Sequence, residues 1–339
     1  MLSVETVPRA DRADGTEREF GESLGNPLKQ LAWRTANCCM LGGLITWPLE
    51  RNWVRVERLP MPLANLGWEF DGARLAHLSD LHCGTLVREK HLHRYVEMVN
   101  ALDVDFVVIT GDFITTGSRR HAKAAARVLR DLRANTAVIA CLGNHDYGLW
   151  HPAGWGGVKG MADFLSDELA NAGVIVLRNA SRAFFAGESV LQFVGLEDYW
   201  SPQYDPQAAL DLVDYDSPVI ALSHNPDTAP QLASMGAEWI LSGHTHGKAT
   251  PNTRFWDAMY PTRHKQFVGG RYALGPGRHL YVNRGIGNTL RVCRDHRPEI
   301  TLFTLRATTH GKRLCSVPSQ DTAGLAKTSV KPVFQKIEA

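Results

Sequence analysis

Asp105-Phe106-Val107-Val108-Ile109-Thr110-Gly111-Asp112 sets a pattern that recurs along this chain. Its apolar run is short and unbroken, and it stops at a turn-forming glycine followed by a carboxylate. A run of this kind, with no polar alternation, fits a strand buried on both faces. The same pattern returns in Ala137-Val138-Ile139-Ala140-Cys141-Leu142-Gly143-Asn144-His145-Asp146. Working outward, strands are expected at Val54–Arg58, Leu75–Leu78, Asp105–Ile109, Ala137–Leu142 and Val174–Leu177. Further strands are expected at Val190–Val194, Val219–Leu222, Trp239–Leu241, Leu280–Asn283 and Ile300–Phe303. Pro218 precedes one of these runs, where its missing N–H does little harm. Helical patterns lie between them, at Glu89–Leu102, His121–Arg133, Met161–Ala172, Pro206–Val213 and Pro226–Met235. Strands alternating with helices predict an α/β fold of layered sheets with outer helices. The Pro-, Gly- and aromatic-rich stretch Ala249–Gly277 reads as one long functional loop.

The 339 residues suffice for one large domain or two ordinary ones. Apolar residues make up 44% and charged residues 21%, which excludes a disordered chain and a multi-pass membrane protein. A net charge of +2 offers no electrostatic case for a nucleic-acid binder, and none is expected. Six cysteines without a CxxC pair argue against a disulfide scaffold and for a reducing compartment. Residues 1–27 are polar and mixed in charge and read as a disordered lead-in. Residues 28–50 hold an amphipathic stripe whose mostly apolar part, Cys38 to Leu49, is too short to span a bilayer. With Lys29, Arg34, Arg51 and Arg55 near its ends, it reads as an interfacial helix for a peripheral membrane contact through 28–49. That places the chain in the cytoplasm, at the inner face of the cytoplasmic membrane; a helix packed on the domain is the alternative. The folded body is expected over 51–306, followed by a flexible, weakly basic tail over 307–339.

The polar residues carry the chemistry. Five of the 14 histidines fall just after apolar strand runs, with three aspartates and one asparagine. The blocks read Ser79-Asp80-Leu81-His82, Gly111-Asp112, Gly143-Asn144-His145-Asp146, Ser223-His224-Asn225-Pro226 and Gly243-His244-Thr245-His246-Gly247. The C-terminal edge of strands is where open α/β sheets place ligands. Any one block is ordinary turn or capping chemistry. All five together, each at a strand end, point to a metal site. Carboxylate, amide and imidazole donors without thiolate suit manganese, iron or zinc in an open site. Asp112 can bridge two ions. Asp80, His82 and one further imidazole can complete one of them, and Asn144, His224 and another imidazole the other. Two such ions form a clamp for in-line displacement at phosphorus and allow a bridging hydroxide near neutral pH.

These blocks resemble the calcineurin-like metallophosphoesterase family over about Arg74 to Leu305. The resemblance implies a four-layer α/β/β/α sandwich with a dinuclear site at its rim. It implies Asp80, His82 and His246 on the first metal, Asn144, His224 and His244 on the second, and Asp112 bridging. It implies that His145 stabilises the phosphoryl oxygen or protonates the leaving group, and that Asp146 orients its imidazole. Manganese is the favoured metal of the pair, with iron or zinc as alternatives. Ser223-His224-Asn225-Pro226-Asp227, Tyr281-Val282-Asn283-Arg284-Gly285-Ile286-Gly287 and Arg297-Pro298-Glu299-Ile300-Thr301-Leu302 are similar to a bacterial branch of small, often membrane-associated phosphodiesterases. Some of that branch hydrolyse the pyrophosphate of UDP-diacylglucosamine. The branch usually continues its last histidine block with Gly-Gly-Gln, whereas Gly247-Lys248-Ala249 stands here and adds a cation. Lys248 and Arg284 are the candidate contacts to substrate phosphate.

The expected activity is therefore hydrolysis of a phosphodiester or pyrophosphate, with a lipid-linked nucleotide among the candidates. Phosphomonoester or phosphoprotein hydrolysis is the alternative within the enzyme class, and a non-catalytic binding module on the same fold the alternative outside it. Cys83 and Cys141 read as small buried residues, Asp198 as a turn residue near the site, and Phe255, Trp256 and Tyr260 as loop packing.

Overall fold

The computed structural model describes residues 54–211, 213–247, 262–287 and 297–308. The lead-in, the 28–50 segment, Lys248, the aromatics of 255–260 and the tail beyond 308 lie outside the described residues. Among those described, no helix is long and apolar enough to cross a membrane.

Two six-stranded sheets make the body. The first runs in the order β1 (Arg55–Leu63), β14 (Glu299–Ala307), β2 (Arg74–Leu78), β3 (Phe106–Thr110), β4 (Ala137–Cys141) and β7 (Ile175–Val176). From β2 to β7 all neighbours are parallel; β14 pairs antiparallel with β2 and parallel with β1. The second runs β12 (Gly270–Gly275), β13 (Arg278–Val282), β11 (Trp239–Ser242), β10 (Val219–Leu222), β9 (Ser189–Gly195) and β8 (Ala180–Ala186). Its four inner strands are parallel, and both edge strands are antiparallel to their neighbours. A small hairpin, β5 (Leu149–His151) with β6 (Trp155–Gly156), follows β4.

Period-2 geometry divides each apolar run between two cores. Phe106 and Val108 face the second sheet and pack with Phe193, Ile220, Leu222, Trp239 and Phe303. Phe106 lies between Phe184 and Phe193, with ring centroids at 5.2 and 5.3 Å. Val107 and Ile109 face the other way, onto α1 (Glu89–Asn100), α2 (Arg119–Leu129) and α3 (Met161–Asn171). On the far side of the second sheet, Val219, Ala221 and Ile240 pack against α4 (Pro206–Leu210) and α5 (Ala229–Ser234). Three cores between four layers give the α/β/β/α sandwich.

The structure departs from the sequence reading at several places: the hairpin Leu149–His151 with Trp155–Gly156 is not among the expected strands, and β1 continues past Arg58 to Leu63. Ala249–Gly277 is not one loop: Gly270–Gly275 is an edge strand, exposed on alternate residues and paired with β13. Its glycines and single half-buried face hide it from a search for apolar runs. The strand Ala180–Ala186 is missed for the same reason, being half-buried along most of its length. The helix expected from Pro226 opens as a 3-10 turn over Pro226–Thr228 before α5 begins.

Candidate metal centre

All the polar blocks lie at one rim of the sandwich. Asp80 and His82 follow β2, Asp112 follows β3, and Asn144 and His145 follow β4. From the second sheet, His224 follows β10, and His244 and His246 follow β11. The two sheets are tied at this rim. The Thr110 carbonyl accepts from His224 Nδ1 at 2.7 Å, and Asp80 Oδ2 accepts from the His244 amide at 3.1 Å. A Cβ on Gly243 would lie 1.8 Å from Ser79 Oγ and 2.3 Å from Asp80 Oδ2, so only glycine lets the sheets approach this closely.

Among the described residues the candidate Asp and His atoms converge in three overlapping groups: Asp80, His82 and His246; His82, Asp112 and His145; and Asp80, Asp112 and His224. Asp80 Oδ1 is 3.3 Å from His246 Nε2 and 3.8 Å from His82 Nε2, and the two imidazole nitrogens are 3.0 Å apart. His244 Nδ1 is 3.0 Å from Asn144 Oδ1 and 3.3 Å from His224 Nε2. Asp112 is shared by two of the groups, with Oδ2 3.5 Å from His82 Nε2 and 3.2 Å from His224 Nε2. Its other oxygen accepts from the His145 amide at 3.0 Å.

Neighbouring groups aim these atoms. Because the Thr110 carbonyl can only accept, His224 carries its proton on Nδ1 and turns Nε2 inward. Asn144 donates Nδ2 to the Leu149 carbonyl at 2.8 Å, which leaves Oδ1 facing the site. Of the eight described non-glycine residues with left-handed φ, five are Asp80 (52°), His82 (48°), Asp112 (54°), His244 (70°) and His246 (52°). Such a conformation costs an ordinary residue on the order of 1–3 kcal/mol, and it gathers at functional sites.

The electrostatics call for a cation. Asp80, Asp112, Asp146 and Asp198 are each buried at this rim, at most 1% exposed. Among the described residues no Lys or Arg pairs with any of them; imidazoles approach Asp80 and Asp112, and backbone amides bond Asp146 and Asp198. Buried carboxylates without a counter-charge are costly. Burial pushes the Asp80 carboxyl up to about 7, with the Asp112 charge adding to the effect and His224 opposing it. Asp112 goes the other way: burial resists its ionisation, but the imidazoles of His224, His145 and His82 outweigh burial and hold it well below the usual carboxylate range. Burial pushes His244 down to about 3, with the His224 charge assisting, so it stands neutral with its lone pair available. Asp80 Oδ1 is buried without a hydrogen-bond donor. Asp80, Asp112 and the surrounding imidazoles form a cluster of converging donor atoms that fits divalent metal ions.

Two sequence-derived roles change. Asp146 does not orient His145. Its carboxylate accepts three backbone amides, from Phe113 (2.8 Å), Ile114 (3.2 Å) and Gly143 (2.9 Å), and so clamps the loop after β3 to the loop after β4. The imidazole of His145 is held instead by the Thr115 carbonyl, 2.8 Å from Nδ1, which leaves Nε2 as its working nitrogen. Arg284 is not a spare cation for phosphate: it ion-pairs with Glu299, a fully buried carboxylate that also accepts from Tyr281 Oη and Thr301 Oγ1. Asp198 occupies a turn, as expected, and accepts from the Trp200 amide at 2.8 Å. Cys83 and Cys141 are buried thiols, and burial pushes Cys83 up to about 12. The carbonyls of Thr110 and Thr115 are functional groups that sequence reasoning missed. No residue-type signal could have found them, since every residue carries a carbonyl.

Comparison with known proteins agrees with this geometry. The calcineurin-like phosphoesterase family matches residues 73–248. The UDP-2,3-diacylglucosamine pyrophosphatase LpxG of Chlamydia trachomatis is 28% identical over 305 residues, covering 77% of this chain and 93% of that protein. Phosphodiesterase YaeI of Escherichia coli is 27% identical, covering 68% of this chain and 82% of its own. The uncharacterized metallophosphoesterase YkuE of Bacillus subtilis is 31% identical, covering 70% and 81%. The chain thus belongs to the calcineurin-like phosphoesterase family, phosphoester hydrolases that work with divalent metal ions.

Proposed function

We propose that the chain hydrolyses a phosphodiester or pyrophosphate with two divalent metal ions held at this rim, manganese being the favoured metal. The observation that carries the reading is the buried pair Asp80 and Asp112, which no Lys or Arg among the described residues neutralises and on which the imidazoles of His82, His224 and His246 converge. Asp80, His82 and His246 would hold one ion, Asn144, His224 and His244 the other, and Asp112 would bridge them. When bound, such a pair supplies a hydroxide nucleophile at neutral pH and neutralises charge developing at phosphorus.

The remaining chemistry falls to the chain. His145 carries its fixed proton on Nδ1, so Nε2 can bring a second proton to the leaving oxygen or donate to a phosphoryl oxygen. Its ring stands edge-on to His82, centroids 5.0 Å apart, which keeps it beside the reacting atoms. Asp146 holds the two loops that carry Asp112 and His145 in register. Lys248, one residue beyond the last histidine block, is the proposed contact to a non-bridging phosphate oxygen.

A diester or anhydride is favoured because relatives of this length are named phosphodiesterase and UDP-2,3-diacylglucosamine pyrophosphatase. A diacylated sugar nucleotide would suit an enzyme at a membrane surface. The amphipathic pattern of 28–49 supports a peripheral contact at the inner face of the cytoplasmic membrane. The test is turnover by manganese-loaded protein of bis(p-nitrophenyl) phosphate, p-nitrophenyl phosphate and a lipid-linked nucleotide pyrophosphate. Diester or pyrophosphate cleavage that Asp112→Asn abolishes is the expected result. Activity confined to the monoester would move the protein to the phosphatase reading, and metal binding without turnover of any of the three would refute the hydrolase.

A further inference from the structure

Beside the candidate metal centre lies a half-open pocket of about 580 Å³, well within the range of small-molecule sites. Its walls include Tyr199, Trp200, Asp227, Arg263 and Lys265. Trp200 joins it to the centre: its ring stands edge-on to His244, centroids 4.8 Å apart. The pocket therefore adjoins the centre at His244.

The charge of this pocket is set by how Asp227 is used. One carboxylate oxygen accepts from the Arg263 amide and the other from the His264 amide, both at 2.8 Å. Asp227 is thereby spent on holding the 263–264 backbone, and it fixes the segment that presents the two cations. The Arg263 guanidinium lies over the Tyr199 ring, 5.5 Å from its centroid, and pairs with no carboxylate among the described residues. The lining among the described residues includes no Leu, Ile, Val or Met. An acyl chain would find little there to pack against, whereas a planar ring would find the aromatic side chains of Tyr199 and Trp200 and an anion the Arg263 guanidinium.

We propose that this pocket receives the planar, anionic half of the substrate, a nucleoside monophosphate end, and so sets which way the substrate lies across the metal centre. The proposal rests on the phosphodiester or pyrophosphate reading above. Its residues are Tyr199 and Trp200 for the base and Arg263 for the charge.

The test is equilibrium dialysis of manganese-loaded full-length protein against uridine 5′-monophosphate and, separately, ribose 5-phosphate. Both present the same phosphate, so their difference reports the base alone. Stacking of a base on an aromatic side chain predicts uridine monophosphate binding at least about 10-fold tighter. Tyr199→Leu and Trp200→Leu should each shrink that ratio, and Arg263→Gln should weaken both ligands together. Equal affinity of the two ligands for the unmodified protein would overturn the proposal, without depending on how any variant folds. A ratio unchanged in both aromatic variants, or phosphate affinity unchanged in Arg263→Gln, would overturn it as well. Turnover of bis(p-nitrophenyl) phosphate on the same preparation reports separately on the hydrolase. Turnover without base preference sinks the pocket alone, and base preference without turnover sinks the hydrolase alone.

Discussion

Gly143→Ala perturbs the centre without replacing any candidate ligand. Gly143 has an ordinary φ of −111°, so alanine suffers no backbone strain there. The cost is contact. The new Cβ would lie 2.4 Å from Asp112 Oδ1, 2.6 Å from the Asp112 amide nitrogen and 2.9 Å from His224 Cδ2. Ordinary van der Waals contact begins at 3.4 Å, so Asp112 must retreat by about 1 Å, and the amide contact means that backbone moves with it. A misplacement of about 1 Å in a catalytic constellation costs on the order of 100-fold in rate. Gly154→Ala is the matched control. It lies in a left-handed turn (φ 76°) with nothing within 4 Å, so it strains backbone and leaves the centre alone. The assay is metal content by elemental analysis together with turnover of bis(p-nitrophenyl) phosphate. Gly143→Ala is expected to lose metal and about 100-fold in turnover, and Gly154→Ala to keep both. Gly143→Ala with full metal content and turnover within a few-fold of the parent would refute the placement of Asp112 and His224 in the machinery.

Three further outcomes follow from other parts of the structure. His145→Ala should lower kcat by about 10²- to 10⁴-fold and leave metal content unchanged, because its imidazole is assigned to proton transfer rather than to an ion; loss of metal in that variant would contradict the assignment. His77 is fully buried and held neutral, with burial pushing it down to about 3 from an ordinary 6.5. Between those values the unfolded chain binds the extra proton. Its contribution is therefore fully present above pH 6.5 and is lost as pH falls, about 2 kcal/mol by pH 5. Urea midpoints of metal-stripped protein at pH 7 and pH 5 should show that loss, and His77→Gln should reduce it; an equal loss in both proteins would assign the slope elsewhere. Glu299→Leu removes the buried carboxylate that pairs with Arg284 and accepts from Tyr281 and Thr301, at about 3–5 kcal/mol of stability. A urea midpoint close to the parent's would show that the network does not hold β13 to β14.

Much of the centre is legible along the chain, because its donors are side chains of distinctive chemistry at recurring positions. Asp80, His82, Asp112, Asn144, His224, His244 and His246 each follow a run whose apolar character marks a buried strand. The strands themselves are legible where both faces are buried, as in Phe106–Thr110, all five of whose residues are buried. Gly270–Gly275 and Ala180–Ala186 escape because an edge strand buries one face or less, and its pattern blends into a loop.

Donor identity, the α/β alternation and the place of the donors at strand ends are local properties, readable along the chain. Which donors meet depends on how distant segments pack. His82 and His246 touch across 164 positions of chain, and Asp80 meets His244 across the same span, because two sheets stack with their C-terminal edges at one rim. The tertiary structure also decided roles. It spent Asp146 on three backbone amides, gave His145 to the Thr115 carbonyl and paired Arg284 with Glu299. Those choices turn on backbone groups that every residue carries and on contacts between distant segments. Residue type constrains neither, so they become readable only once the chain has closed on itself.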